Sequence, residues 1–175
     1  MKNVWVRRVA WTLGALLVGA GLGLGCRSVP SMPPRARAQA RFEKDAARFD
    51  QATRREIETL YRTYAKGLPN SEEALKTLIE KHPQANRTGC AVMYAAQRAK
   101  TGEERERLLK LAIEKFGDCY YGDGAQVAAY ARWYLARTYA EAGKTEEANR
   151  LFDELRRDYP DAVTHRGRKL VEHLP

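Results

Sequence analysis

At 175 residues, 44% apolar and 30% charged, the chain is long enough for one folded domain with appendages and is ordinary in composition for a helical protein. A formal net charge of +9 invites a nucleic-acid reading, but the charge is unevenly placed. Lys2, Arg7 and Arg8 precede an apolar run, residues 27–66 hold ten basic and five acidic side chains, and residues 67–175 are nearly balanced at eighteen and seventeen. No broad basic surface for nucleic acid is expected from the domain itself.

The first element is an export signal. Val9 to Cys26 runs uncharged for 18 residues after the basic Met1–Arg8 stretch. Two readings stand. One is a lipoprotein signal over residues 1–25, cut before Cys26, which then carries the lipid; the other is an uncleaved single-span anchor. Gly25-Cys26 after the apolar run is similar to a lipobox, with Gly23 where Leu is usual. Glycines at 14, 19, 21, 23 and 25 suit a processed segment better than a rigid span. Both readings put the domain outside the cytoplasm, membrane-anchored and facing the periplasm of a bacterial envelope.

Residues 26–34 follow as a Pro- and Ser-rich tether, RSVPSMPP from Arg27. From Arg35 the apolar residues Ala38, Phe42, Ala46, Phe49, Ala52, Ile57, Leu60, Tyr61 and Tyr64 recur at helical steps. This predicts one long basic helix over 35–66, with any break at Ala52–Arg54. Its Arg35, Arg37, Arg41, Lys44 and Arg48, with Arg27 before them, read either as a face for anionic lipid headgroups or as a solvated surface. Gly67-Leu68-Pro69-Asn70 ends the helix, and Asn70 or Ser71 caps a short one through Leu75 and Ile79 to Lys81.

A shift of 43 residues then lays Thr101-Gly102-Glu103-Glu104 on Lys144-Thr145-Glu146-Glu147, Leu108-Leu109 on Leu151-Phe152, and Phe116-Gly117-Asp118 on Tyr159-Pro160-Asp161. Arg105 stands where Ala148 does later. In Tyr130 to Ala162, Leu135, Ala136 and Tyr139 lie on one helix and Ala148 and Phe152 on the next, with Gly143 between and Pro160 closing. Small Ala136 and Ala148 let two antiparallel helices approach, and Thr145 is expected to cap the second. Residues 163–175 read as a capping helix carrying Val163, Leu170 and Val171.

Those slots resemble a tetratricopeptide repeat (TPR), in the register that begins at Ala129. The Trp slot departs from the pattern, holding Arg132 with Trp133 one place later. The resemblance covers about residues 53–162 as roughly three repeats, the first degenerate. It implies an all-α, right-handed stack of antiparallel helical hairpins that binds a protein or peptide partner, similar in layout to envelope TPR lipoproteins. It also implies a ligand face on the first helix of each hairpin: Tyr130, Trp133 and Arg137, with Tyr94 from the repeat before. The alternative for that face is a helix folded back over it.

In the same register Cys90 and Cys119 fall at positions 5 and 34, at one end of a hairpin, which fits a disulfide in an oxidising compartment; the alternative is two buried thiols. His82, His165 and His173 are scattered, and there is no Cys-x-x-Cys, no His-Glu-x-x-His and no nucleophile beside a base. Neither a metal nor a cofactor is expected. The expectation is a scaffold without catalysis; a thiol redox protein or small enzyme using Cys90 and Cys119, or a structural spacer, are the other readings. The partner's identity and the oligomeric state have no signature.

Overall fold

The structure, a computed structural model, describes residues 32–175; the expected export signal, Cys26, Arg27 and most of the expected tether lie outside them. Seven α-helices follow: α1 Pro34–Arg48, α2 Gln51–Ala65, α3 Ser71–Lys81, α4 Asn86–Arg98, α5 Gly102–Lys115, α6 Val127–Glu141 and α7 Thr145–Asp158. The expected single helix over 35–66 is two helices. Phe49 is extended and the Asp50 carboxylate accepts a 2.7 Å hydrogen bond from the Thr53 amide, so a side-chain cap starts α2 ahead of the expected break. Thr101 caps α5 in the same way, accepting from the Glu104 amide. Thr145 does not cap α7. It is the first residue of that helix, and Lys144 holds the cap position without a side-chain bond.

The helices pair as antiparallel hairpins, α2 with α3, α4 with α5 and α6 with α7, and the hairpins stack through α4 on α2 and α6 on α5. This bears out the all-α stack. Alanines at 91, 96, 129, 131 and 136 have no exposed surface, so the helix axes come close, while Leu78, Val92, Met93, Leu109 and Leu155 fill the space beside them. Arg132, in the slot where the repeat pattern has Trp, reaches Glu154 of α7 at 3.1 Å and covers the Tyr159 ring. An ion pair over an aromatic ring thus stands in for the missing indole. Arg105, where a small residue was the pattern, turns aside to donate to the Ala99 carbonyl.

Each hairpin has two edges, one formed by the turns within hairpins and one by the loops between them. At the loop edge, His82, Phe116 and Tyr159 end α3, α5 and α7 alike, and the amides of Ala85, Cys119 and Ala162 donate back to their carbonyls at 3.0–3.1 Å. After that the loops diverge. Asn86 begins α4 at once, whereas Cys119 leads into a small β-bridged hairpin in which Tyr121 and Ala125 bond at 2.8 Å and the Val127 amide returns to the Cys119 carbonyl. The same bonds recur 43 residues later, Thr164 to Arg168 and Leu170 to Ala162, both at 2.7 Å. The loop at 119–125 is therefore part of the repeating unit.

That recurrence corrects the expected capping helix over 163–175. Gly167 takes φ +77°, as Gly124 takes φ +96°, so a left-handed residue turns the chain where apolar spacing alone promised a helix. Only the 3₁₀ turn Leu170–His173 follows, with Leu170 fully buried.

Helix α1 runs along the loop edge. Gln84, Asp118 and Asp161 occupy equivalent places, two residues past each helix end. Arg41 donates to the Gln84 carbonyl at 2.8 Å and lies 3.3 Å from Asp118, Lys44 lies 3.4 Å from Asp118, Arg37 3.7 Å from Asp161, and Arg48 bonds the Gln84 side chain. Residues 37, 41, 44 and 48 share one face of a helix. Four of the basic residues read as a lipid-facing or solvated surface are thus engaged by successive loops, and Arg41 is only 7% exposed.

An aromatic row across the stack

The first helices of the hairpins, α2, α4 and α6, carry a row of rings. Tyr61 lies 6.3 Å from Tyr94, Tyr94 5.7 Å from Tyr121, Tyr121 4.7 Å from His165 and His165 4.8 Å from Tyr130. Beyond Tyr130 stand Trp133 at 6.1 Å and Tyr134 at 6.3 Å, themselves 5.0 Å apart. Helix spacing delivers the rings of α2, α4 and α6, and the two β-bridged hairpins deliver Tyr121 and His165 between them.

Guanidinium groups lie over several of these rings. Arg87 covers Tyr61 at 4.5 Å and is held there by Glu58 at 2.8 Å. Arg98 lies 5.6 Å from Tyr94 while donating to the carbonyls of Tyr64 and Ala65 at the end of α2. Arg137 covers Trp133 at 5.2 Å, with Glu141 at 3.7 Å. Flat apolar area beside fixed positive charge suits an apolar or aromatic side chain and a carboxylate on one ligand.

The residues expected at the ligand face fall along this row, with unequal access. Tyr94 and Trp133 are half-buried and Arg137 is exposed, but Tyr130 is 5% exposed because the hairpin after α7 closes on it. The His165 amide donates to the Tyr130 hydroxyl at 2.8 Å, and the His165 ring packs against the Tyr130 ring. Trp133, Arg137, Ala140 and Phe152 share a cleft of ≈ 480 Å³ with residues 172–175. A loop and a short turn thus cover one part of the face, in place of the helix considered as the alternative. Tyr61 and Leu60 had been read only as apolar positions of the first helix, while Tyr121, Tyr134 and His165 had no assigned role. Nothing short of the hairpin geometry brings Tyr121 and His165 into line.

Cys90 and Cys119 are free thiols in the structure, so the expected disulfide is not formed here. Cys119 packs on Gly89, where even a methyl group would lie 2.6 Å from its sulfur, and the Cys90 Sγ turns to the Tyr120 carbonyl at 3.5 Å. Burial pushes the Cys90 thiol well up and that of Cys119 to about 12. Thiols so held have little thiolate at neutral pH and are weak nucleophiles. The acids of this loop are engaged within the fold: Asp118 by Arg41 and Lys44, and Asp123 by the Ala125 amide and by His165 at 2.8 Å. Among the described residues no three His, Cys, Asp or Glu side chains form a metal-ligand group.

Against known proteins, the family model described as "Tetratricopeptide repeat" matches residues 130–162, that is α6, α7 and the start of the following loop. No curated protein and no solved structure matches the chain.

Proposed function

Because the chain carries a tetratricopeptide repeat at residues 130–162, a module of protein–protein interaction, we propose that it is a membrane-anchored scaffold of the bacterial envelope whose aromatic row receives a peptide or protein partner in the periplasm. The observation that carries this reading is the accessible part of the row: half-buried Tyr61, Tyr94, Trp133 and Tyr134, with Arg137 exposed beside them. Arg87, Arg98 and Arg137 are already fixed over rings, so a carboxylate on the partner would meet pre-ordered donors at a small entropic cost. The membrane attachment rests on the uncharged run Val9–Cys26 and on the Gly25-Cys26 pair, with Cys26 as the lipid-bearing residue.

Photo-crosslinking from position 134 in intact envelopes identifies the partner, and two variants then test the surface. Trp133→Ala should weaken capture of that partner by about 1 to 3 kcal/mol. Its thermal unfolding should shift little, because the indole is half-buried and rimmed by a cleft. Tyr130→Ala removes a buried ring and a hydroxyl that accepts a backbone hydrogen bond, so it should lower stability as well. If stable Trp133→Ala protein captures the partner normally, the row is not the interface and the spacer reading takes its place. Mass spectrometry of the membrane-extracted chain tests the anchor separately: a mature N-terminus at Cys26 bearing a diacylglyceryl group is the expected result.

A further inference from the structure

We propose that the hairpin Val163–Lys169, together with Arg35, is a headgroup-binding surface that holds the loop edge of the domain against anionic lipid. This rests on the anchoring reading above. It replaces the lipid-facing role that the sequence offered for Arg37, Arg41, Lys44 and Arg48, which the loops engage instead.

Two sets of observations meet here. The first is charge. From Ala162 to Val171 the chain holds Arg166, Arg168, Lys169 and His165 and no acid. Arg166, Arg168 and Lys169 are exposed, and their side chains have no acidic partner among the described residues. Of the acids around the hairpin, Asp161 is engaged by Arg37 at 3.7 Å and Asp123 by His165 at 2.8 Å, while exposed Glu172 follows three residues after Lys169. A turn braced by the Thr164–Arg168 bonds therefore presents three exposed cations, Arg166 at its tip and Arg168 and Lys169 on the returning arm, against the one acid Glu172 that follows.

The second is position. At Gly124 of the preceding hairpin a methyl group would lie 2.8 Å from the Arg35 nitrogen and from the Pro34 carbonyl carbon, so the start of α1 rests directly on that hairpin. The Asp123–His165 pair ties that hairpin to the next. The point where the chain enters the domain and the cationic tip therefore lie at one edge. Pro34 is only eight steps along the chain from Cys26, a contour of at most about 29 Å. Short juxtamembrane basic clusters are drawn to anionic headgroups, roughly fivefold in partition per Lys or Arg. Nucleic acid is the weaker match, because three cations are fewer than the six to ten or so phosphate contacts of a typical duplex binder.

The test uses the full chain reconstituted into vesicles of phosphatidylcholine alone, or of phosphatidylcholine with about a third phosphatidylglycerol. Flotation reads the anchor, and the rate of trypsin cleavage after Arg166 and Arg168 reads the surface. Cleavage after Lys100, in the exposed turn between α4 and α5 at the opposite edge, is the control. The expected result is flotation with both vesicles, and cleavage after Arg166 and Arg168 slower on the anionic ones by about tenfold or more. The difference should vanish in about 1 M salt, with Lys100 cut equally throughout. Equal cleavage of the tip in chains that float with both vesicles overturns the headgroup surface and leaves the anchor standing. If phosphatidylcholine vesicles leave the chain behind, the anchor reading fails. The surface then stands only if anionic vesicles still slow cleavage at the tip, and falls if they do not.

Discussion

The two edges of the stack are built on different principles. At the turn edge, Lys66–Asn70, Ala99–Thr101 and Ala142–Lys144 reverse the chain with local means. Gly67, Asn70 and Gly143 take positive φ, Thr101 caps, and the Lys144 amide returns to Tyr139. At the loop edge the bonds cross long stretches of chain: Arg41 to Gln84 over 43 residues, Asn86 to Tyr120 over 34, and Lys44 to Asp118 over 74. Turns make hairpins; between hairpins the turn edge has the Arg98 bonds to Tyr64 and Ala65 and the Glu106–Tyr139 bond, while the loop edge, with α1 laid along it, carries more of the ties. Damage at the turn edge should therefore stay local, while damage at the loop edge should weaken the whole stack.

The largest effect is expected from Asn86→Ala. Asn86 is fully buried, and its side chain both donates to the Tyr120 carbonyl at 2.8 Å and accepts from the Tyr120 amide at 2.7 Å, closing the open side of the hairpin as another strand would. The substitution orphans both groups in a dry site and should cost about 3 kcal/mol in urea unfolding. Amide exchange should rise across 119–127 as well. A loss under about 1 kcal/mol would mean that water reaches Tyr120 and that the loop edge is less closed than the burial of Asn86 implies.

Gly143→Ala is the matched experiment at the other edge. Gly143 has φ +74° and open space where a methyl group would go, so only backbone strain is added. The expected loss is about 1 kcal/mol. Gly143→Asn should recover part of it, because Asn tolerates that conformation as Asn70 does at φ +64°. If Gly143→Ala costs as much as Asn86→Ala, the contrast between the edges fails.

The same contrast accounts for what could be read beforehand. The hairpin of α6 and α7 was legible because Leu135, Ala136, Tyr139, Ala148 and Phe152 have regular spacing and Gly143 punctuates them locally. The break, offered at Ala52–Arg54, falls at Phe49–Asp50, because apolar periodicity continues through it and a single carboxylate bond decides the cap. The capping helix was misread for the opposite reason: Val163, Leu170 and Val171 have helical spacing, but Gly167 turns the chain first. The basic face of α1 looked free because its partners, Gln84, Asp118 and Asp161, are recognisable as one repeated position only after the helix ends are superposed. The candidate site follows suit. Trp133 and Arg137 were readable from one helix, whereas Tyr121 and His165 join the row through two hairpins with no helical period to betray them.

The smallest predicted effect concerns a carboxylate tie close to the turn edge, where Arg98 also reaches the carbonyls of Tyr64 and Ala65. Glu106 of α5 accepts from the Tyr139 hydroxyl of α6 at 2.9 Å and from Lys110 at 2.7 Å, with Lys144 at 3.9 Å. The Lys110 hydrogen bond, and after it that of Tyr139, holds the Glu106 carboxyl below its ordinary range. A folded value below the unfolded one means that the unfolded chain takes up the proton first as pH falls. The stability Glu106 supplies is then whole above about pH 5 and is lost as pH falls through the lowered folded value. Glu106→Gln should remove that contribution, at most about 0.5 kcal/mol for a group so near the surface. Unfolding curves of the two proteins should differ most near neutrality and converge in acid. If the difference stays constant from neutral pH into acid, Glu106 binds its partners no better as a carboxylate than as an amide. At the turn edge the Arg98 bonds to α2 would then be the charged tie across helices, beside the local turns.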